Sequence, residues 1–223
     1  MKTLGIMKYA AVLLGLSLLL FACTPGASSA TATEDKEKQT TAVGAKPDFT
    51  IKPGEGLGAL VGEMDLAAVE AAIGKANVGE RDFYLGEGEY TPGLVLYPET
   101  GEEVEALLDD DGFIILYRIS QPGSKWATSS GITVGSTLEE LVAANGGHFK
   151  FTGFDWDYGG TVINWNGGNF DGADFLVKLN YNYEGIPMTE EDTSALLGDQ
   201  EITSDNPAAQ RYEIAVVEIM QRY

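Results

Sequence analysis

The chain has 223 residues and carries 34 acidic against 14 basic side chains, a formal net charge of −20. Its length allows one domain, or two small ones once a leader and a linker are removed. A surface this acidic repels phosphate backbones and anionic lipid headgroups, which excludes nucleic acid as a partner and favours cations and basic proteins. The alternative is that the charge serves solubility alone.

Residues 1–22 predict a lipoprotein signal peptide. Two lysines precede an uncharged run from Tyr9 to Ala22, which is shorter than the roughly 20 residues of a membrane span. The segment from Leu20 to Cys23 resembles the lipobox of bacterial lipoprotein signal peptides, in which the peptide is cut before the cysteine and the cysteine sulfur carries diacylglycerol. The resemblance implies that Cys23 is the lipid anchor, with fatty-acyl chains such as palmitate. The alternative is a free cysteine after an ordinary signal peptide.

Residues 23–47 predict a lipid-anchored flexible tether. They contain no aromatic residue and almost no large aliphatic one, so they cannot bury enough surface to order themselves. Leader and tether together hold five of the 14 basic residues and three of the 34 acidic ones, which leaves 31 acidic and nine basic residues in 48–223. Lipid on Cys23 is expected to hold this folded part at a membrane of the bacterial cell envelope, outside the cytoplasm.

Two segments of the folded part predict short amphipathic helices 72 residues apart. Asp65 and Thr137 are the expected N-caps, and Thr137 forms a capping box with Glu140. Each cap is followed by apolar residues at offsets of one, four and seven and by glycine at nine, which is typical of one apolar helical face and a left-handed C-terminus. The first set is Leu66, Val69, Ala72 and Gly74, and the second is Leu138, Leu141, Ala144 and Gly146.

Four strand-like runs follow each helix. The first four cover residues 82–85, 93–97, 102–108 and 113–120; the second four cover residues 148–154, 161–165, 174–183 and 212–221. Turn residues such as Asp111-Gly112 between them favour antiparallel hairpins. The sequence therefore predicts an α+β fold of two tandem repeats, 48–124 and 125–223, each a short helix packed on a four-stranded antiparallel sheet.

A Val-Gly step precedes both helix entries, at Val61-Gly62 and Val134-Gly135. This entry, followed by an antiparallel sheet and present twice, resembles the tandem-repeat fold of β-lactamase inhibitory proteins. It is also similar to the BamE/SmpA-type envelope lipoproteins, which have one such unit. The match is best from Gly135 to Leu141. The resemblance implies a non-catalytic binding module with a concave sheet surface.

The run from 174 to 183 has the clearest alternation. Phe175, Val177, Leu179, Tyr181 and Tyr183 are expected on one face, and Asp174, Lys178, Asn180 and Asn182 on the other. A period of two with one polar face predicts a half-solvated sheet with an open face for binding.

The stretch "GFDWDYGGTVINWNGGNFDG" (153–172) has three interpretations. As a strand, it places Phe154, Trp156 and Tyr158 opposite Asp155 and Asp157. The aromatic side chains could be core residues of a hairpin. Alternatively they are exposed anchors for a protein or a glycan, and the predicted contact residues are then Trp156, Tyr158, Trp165, Tyr181 and Tyr183.

The third interpretation is a metal site. Asp155-x-Asp157-x-Gly159 matches part of a calcium-loop pattern, because oxygen ligands at alternate positions suit a hard cation. No glutamate completes the loop. Ca²⁺ bound by Asp155 and Asp157 is therefore the alternative to a protein with no cofactor, and a Ca²⁺-assisted glycan-binding lipoprotein is the alternative function.

Catalysis is not predicted. Cys23 is used by the anchor, His148 is the single histidine, and no serine lies in a G-x-S-x-G pattern. Glu102 and Glu103 are expected to be solvated, Trp126 to be a plug between the repeats, and a short helix to begin at Thr189. We expect an anchored, non-catalytic binding module for an envelope or extracellular protein.

Overall fold

The computed structural model describes residues 46–86, 89–182 and 186–223. They form an α+β fold of helices on antiparallel sheets, which confirms the predicted fold class. The helices are α1 (Leu66–Ile73), α2 (Leu138–Asn145) and α3 (Glu190–Leu196). The strands are β1 (Thr50–Lys52), β2 (Gly56–Leu57), β3 (Leu60–Val61), β4 (Val78–Gly86), β5 (Glu89–Leu96), β6 (Val104–Leu108), β7 (Ile114–Ile119), β8 (Ala127–Thr128), β9 (Lys150–Thr152), β10 (Val162–Asn164), β11 (Phe175–Asn182), β12 (Glu201–Thr203) and β13 (Glu213–Arg222).

The main sheet has six antiparallel strands in the order β11-β13-β7-β6-β5-β4. It therefore contains strands from both predicted repeats, joined where β13 pairs with β7, from Ile219 opposite Ile119 to Arg222 opposite Leu116. The strands do not divide into the two four-stranded sheets that the sequence predicts. Pairing β7 with β13 satisfies backbone groups that two separate sheets would leave open at their edges.

Two smaller sheets complete the fold. Strands β9 and β10 pair with each other, and β12 pairs with the other edge of β9. A single bridge between Thr161 and Lys178 links β10 to β11 in the main sheet. The third sheet has the order β3-β2-β1-β8 and contains a parallel pair, β1 with β8. Because β9 pairs with β10 and β10 is bridged to β11, these three strands of the second predicted repeat are neighbours in space in the same order as in the chain.

The predicted N-caps are confirmed, whereas the predicted left-handed C-terminus is found at α2 and not at α1, where Gly74 has φ of 87° and ψ of 136°. The Asp65 carboxylate accepts a hydrogen bond from the backbone N–H of Ala68 (2.8 Å) at the start of α1. Thr137 and Glu140 form the reciprocal capping box of α2, with distances of 2.9 and 3.1 Å. Gly146 ends α2 in the left-handed conformation, with φ of 78°. Thr189 caps α3. None of these three helices, within the described ranges, is long and apolar enough to cross a bilayer.

Trp126 is buried, and its ring lies 5.0 Å from that of Phe49. Its indole N–H donates to the backbone carbonyl of Glu102 (3.0 Å).

The prediction of a solvated Glu102 is wrong: the residue is 8% exposed and its carboxylate accepts hydrogen bonds from Ser124 and Lys125. Burial raises the pKa of Glu102, but the hydrogen bonds from Lys125 and Ser124 outweigh it and leave that pKa below its ordinary value.

The alternation predicted for 174–183 is confirmed over the described part of β11. Phe175, Val177, Leu179 and Tyr181 are buried, while Asn180 and Asn182 are exposed. Tyr183 lies outside the described residues. The buried side chains of both predicted repeats belong to one continuous core, so the main sheet has one core face and one outer face.

Replacing the α2 cap tests the helix entry. Thr137→Ala removes the side-chain acceptor for the Glu140 N–H, and we expect a loss of about 1 kcal/mol in the free energy of unfolding. Thr137→Asp keeps an acceptor at the same position and is the matched control. Urea denaturation of both variants measures the difference, and equal midpoints for Thr137→Ala and wild type would contradict the capping role.

Candidate functional site

Residues 154–160, which we call the aromatic loop, form a turn and not a strand. Phe154 is buried and makes a single bridge to Leu197, after which Asp155 takes a left-handed backbone conformation with φ of 63°. The predicted alternation of Phe154, Trp156 and Tyr158 on one strand face is therefore wrong. The physical reason is local: the chain must reverse between β9 and β10, and two glycines at its end permit the turn.

Backbone hydrogen bonds hold the aromatic loop on two sides. Phe154 donates to the carbonyl of Leu196 (2.7 Å) and accepts from Gly198 (2.8 Å), which fixes the loop to the end of α3. The carbonyl of Gly160 accepts from the N–H of Leu179 (2.8 Å), which fixes the other end to β11. Gly160 has φ of 75°, and a Cβ there would lie 1.9 Å from the Leu179 carbonyl oxygen. The loop is thus placed against the edge of the main sheet by its own backbone.

Trp156 and Tyr158 form an aromatic pair on this loop. Their ring centroids are 5.5 Å apart at an interplanar angle of 70°, an edge-to-face arrangement. Tyr158 is 69% exposed, whereas Trp156 is half-buried and donates its indole N–H to the carbonyl of Gly153 (2.8 Å). The Trp156 ring therefore has a fixed orientation and supports the exposed ring of Tyr158.

Two open depressions flank the loop and meet at Asp155. The smaller, of about 190 Å³, lies between the loop and the edge of the main sheet. It is lined by Phe154, Asp155, Trp156, Gly159, Lys178, Leu179, Asn180 and Val217. The larger, of about 430 Å³, is bounded by α3 and the segment before it. It is lined by Asp155, Tyr181, Ile186, Pro187, Met188, Thr193 and Leu197.

Asp155 is held by the sheet. The hydroxyl of Tyr181 donates to its carboxylate at 3.0 Å, which connects the turn to the buried side of β11. Asp157 is exposed. Within residues 46–86, 89–182 and 186–223 no group of three or more His, Cys, Asp or Glu side chains is placed to hold a metal ion. Ca²⁺ binding by Asp155 and Asp157 stays a prediction.

The sheet beside the smaller depression carries three neighbouring charged side chains. Lys178 on β11 is in register with Glu218 on β13, and Arg118 on β7 lies 4.0 Å from Glu218. Burial raises the pKa of the Glu218 carboxyl, an effect that the positive charges of Arg118 and Lys178 oppose and that Glu105 reinforces. Of these charged residues, Lys178 lines the smaller depression, together with the half-buried Trp156.

The five predicted contact residues do not all lie on one exposed surface. Trp165 is 6% exposed and packs against the rings of Phe149 (5.3 Å) and Phe170 (5.1 Å), so it belongs to the core and presents no anchor surface. Tyr181 is also buried: its ring packs on that of Phe154, with centroids 4.9 Å apart, and its hydroxyl reaches Asp155. Of the five residues, Trp156 and Tyr158 are brought together at the surface, while Tyr183 lies outside the described residues.

Three apolar residues of the site were missed from the sequence. Ile186 is exposed, and Met188 and Leu197 are half-buried beside Asp155. The signal that could have found them is the apolar run Ile186-Pro187-Met188 in front of the α3 cap, where a soluble surface segment would usually be polar.

His148 is exposed, and its Nδ1 lies 3.1 Å from the Ser204 hydroxyl oxygen. Ser204 is buried and its oxygen also accepts from the N–H of Phe149 (3.1 Å). This pair connects the start of β9 to the end of β12, and a side chain that is 0% exposed offers no surface to a substrate.

The fold and the site together define an α+β protein with an exposed aromatic loop beside the edge of its main sheet. No family model matches the chain, and no curated protein matches it. Among solved structures, the uncharacterized protein YfeY from Escherichia coli aligns with 76% of this chain and 97% of its own, at 12% sequence identity and a TM-score of 0.43.

The hydrogen bond between Tyr181 and Asp155 can be tested by removing a single oxygen atom. Tyr181→Phe removes the hydroxyl and leaves the ring, and we expect the free energy of unfolding to fall by about 1 kcal/mol. Amide hydrogen exchange at residues 155–158 should become faster, because the left-handed turn loses its side-chain contact. Tyr158→Phe is the matched control, since it removes a hydroxyl from an exposed ring and should leave stability unchanged. Equal stability of the two variants would contradict the role of the Tyr181 hydroxyl.

Proposed function

We propose that this protein is a lipid-anchored, non-catalytic binding module of the bacterial cell envelope that binds a protein partner through the aromatic loop. The observation that carries the proposal is the Trp156–Tyr158 pair, in which Tyr158 is 69% exposed on a loop fixed by backbone hydrogen bonds. A single exposed aromatic side chain is common on protein surfaces, but here two aromatic rings lie edge to face on one ordered loop, and a contiguous apolar patch is what indicates an interaction site.

Preorganisation makes this pair suited to binding. Tyrosine and tryptophan contribute much of the binding energy at protein interfaces, since each covers a large area with few rotatable bonds. Association costs less free energy when the loop and its side chains are already ordered. The Trp156 N–H bond to Gly153 and the Gly160 contact with Leu179 supply that order here.

The chemistry of the partner follows from charge and shape. Residues 48–223 carry 31 acidic and nine basic side chains, and Asp155 and Asp157 are exposed on the loop itself. A partner with an apolar pocket for Tyr158, rimmed by lysine or arginine, would complement this surface. Opposite charges would also accelerate the encounter, and more so at low salt.

Two residues beside the loop extend the apolar part of the surface. Ile186 is exposed and Met188 half-buried in the larger depression, which shares Asp155 with the smaller depression that Trp156 lines. A partner side chain entering there would contact both, whereas the Ca²⁺-assisted glycan alternative needs further oxygen ligands beside Asp155 and Asp157.

Site-specific photo-crosslinking tests the proposal. A photo-reactive phenylalanine analogue in place of Tyr158 should form a covalent adduct with one protein in intact cells. Trp156→Ala should reduce the yield at least several-fold, because the analogue loses the ring that positions it. Circular dichroism and thermal unfolding confirm that the Trp156→Ala variant keeps its fold.

The same analogue at Phe113 is the matched control, since Phe113 is an exposed aromatic residue in the turn between β6 and β7. One adduct common to both positions would indicate unspecific contact and would overturn the proposal. Adducts that disappear with EDTA or with a glycosidase would favour the glycan alternative.

The membrane anchor is tested at Cys23. Cys23→Ala removes the sulfur that would carry diacylglycerol, and we expect the protein to leave the membrane fraction or to keep its leader. Intact mass spectrometry of the wild-type chain should show the fatty-acyl mass on the peptide that begins with Cys23. An unmodified peptide would contradict the lipoprotein part of the proposal and leave the crosslinking result unaffected.

A further inference from the structure

The outer edge of β4 is the end of the main sheet opposite to the aromatic loop. In the described part of the chain β5 is the one strand that pairs with β4. Successive residues of an antiparallel strand direct their backbone N–H and C=O groups alternately to the two sides. Half of the β4 backbone groups therefore point away from the sheet.

The register shows which residues these are. Tyr97 donates to the carbonyl of Asn77 (2.8 Å), so the hydrogen-bonded positions continue at Gly79, Arg81 and Phe83. Pro92, which has no N–H, lies opposite Asp82 and agrees with this assignment. The backbone groups of Glu80 and Asp82 thus point to the open edge, and both residues are exposed.

The hairpin of β4 and β5 extends beyond its neighbour. The pairing of β5 with β6 ends at Gly93 opposite Leu107, while β4 and β5 continue past Tyr84 opposite Tyr90. These two rings are 55% and 65% exposed, and their centroids are 5.3 Å apart. In the register they share a face with the side chains of Glu80 and Asp82.

We infer that β4 is a docking edge for an extended segment of a basic partner protein, which adds a seventh strand to the main sheet. The backbone of Glu80 and Asp82 would pair with the incoming strand. Lysine or arginine side chains at alternate positions of that strand would face the Glu80 and Asp82 carboxylates. The next lysine or arginine on the same face would place its apolar stem and its charge on the rings of Tyr84 and Tyr90. Strand addition obtains affinity from the main chain and specificity from these alternate side chains.

A second copy of the chain is disfavoured as the occupant. A symmetric antiparallel pair centred on Arg81 sets Glu80 of one copy opposite Asp82 of the other. A pair centred on Glu80 or on Asp82 sets like carboxylates directly opposite each other. The net charge of −20 adds repulsion between copies. A basic extended segment removes each of these conflicts, which is why we assign the edge to it.

This edge is independent of the proposed function. Five strand spacings of about 4.8 Å separate β4 from β11, a distance of roughly 24 Å across the sheet, and the aromatic loop is hydrogen-bonded to β11. The two surfaces would therefore be occupied at the same time without contact between the bound segments. Failure of one assignment leaves the other in place.

A peptide of alternating lysine and valine, eight residues long and blocked at both ends, is the probe. It is titrated into the full chain in detergent while amide hydrogen exchange is followed by NMR. We expect exchange at Glu80 and Asp82 to slow by about tenfold or more at saturation, while Arg81 and Phe83, already paired with β5, change by less than about twofold. Binding without this alternating protection, or no binding, would overturn the inference.

Two comparisons separate strand pairing from charge attraction alone. A peptide of alternating lysine and proline has the same charge but cannot form a regular ladder, and we expect at least about tenfold lower affinity. Asp82→Pro removes the outward N–H and leaves the β5 ladder, so it should remove protection at Glu80. Equal affinity of the two peptides would overturn the inference.

A charge-reversed variant covers the case in which Asp82→Pro does not fold. The double variant Glu80→Lys/Asp82→Lys should lower the affinity for the lysine-valine peptide by at least about tenfold. The double variant Asp110→Lys/Glu139→Lys changes two exposed positions elsewhere and should lower that affinity much less. Equal weakening by the two double variants would overturn the inference. Sedimentation of the free chain as a dimer that Asp82→Pro dissociates would assign the edge to a second copy instead.

Discussion

The antiparallel pairing of β7 with β13 is the interaction on which the rest of the structure depends. It joins the four strands that follow α1 to β13 and β11 in one six-stranded sheet, and the buried side chains of both halves form one core. Without it, each half would expose the edge of its last strand, and each would be a domain of fewer than about 100 residues with little core of its own. The entrance of α2 is attached to the same strand, because Gly135 and Ser136 exchange hydrogen bonds with Val216.

This pairing also determines where binding surfaces can exist. Once β7 and β13 are central, the remaining edges of the main sheet belong to β11 and β4. The aromatic loop lies against the β11 edge. The hydrogen bond from the Leu179 N–H to the Gly160 carbonyl occupies part of that edge. The β4 edge is flanked by acidic side chains and two exposed tyrosines. Each end of the sheet thus offers an aromatic surface with a different chemistry beside it.

Polar groups inside the fold are satisfied by specific partners. Glu102 is paired with Lys125 and Ser124 next to Trp126, and Asp192 in the first turn of α3 accepts hydrogen bonds from Tyr212 and Arg211. No buried side-chain nitrogen or oxygen of the described residues lacks a hydrogen-bond partner. An acidic protein of this kind keeps the buried charges that have local donors and leaves the others in water.

Aromatic residues show why sequence patterns located the site only in part. Trp156 and Trp165 are nine residues apart in a stretch of the same composition, yet the first supports an exposed ring and the second packs among Phe149, Phe170 and Phe175. Composition is equal for both, so it cannot distinguish them. What separates them is the turn at Asp155, which ends the strand-like alternation one residue after Phe154.

The α+β class, the bounds of α1 and α2, the start of α3 and the inward face of β11 could all be predicted from the amino-acid sequence. These features depend on groups close together in the chain, such as Thr137 with Glu140 or the alternate residues from Phe175 to Tyr181. The pairing of β7 with β13, the burial of Glu102 and the exposure of Tyr158 but not of Trp165 could be seen only in the folded protein. Those outcomes depend on which distant segments meet, and the free energy of burial is set by the assembled neighbours and not by the local pattern.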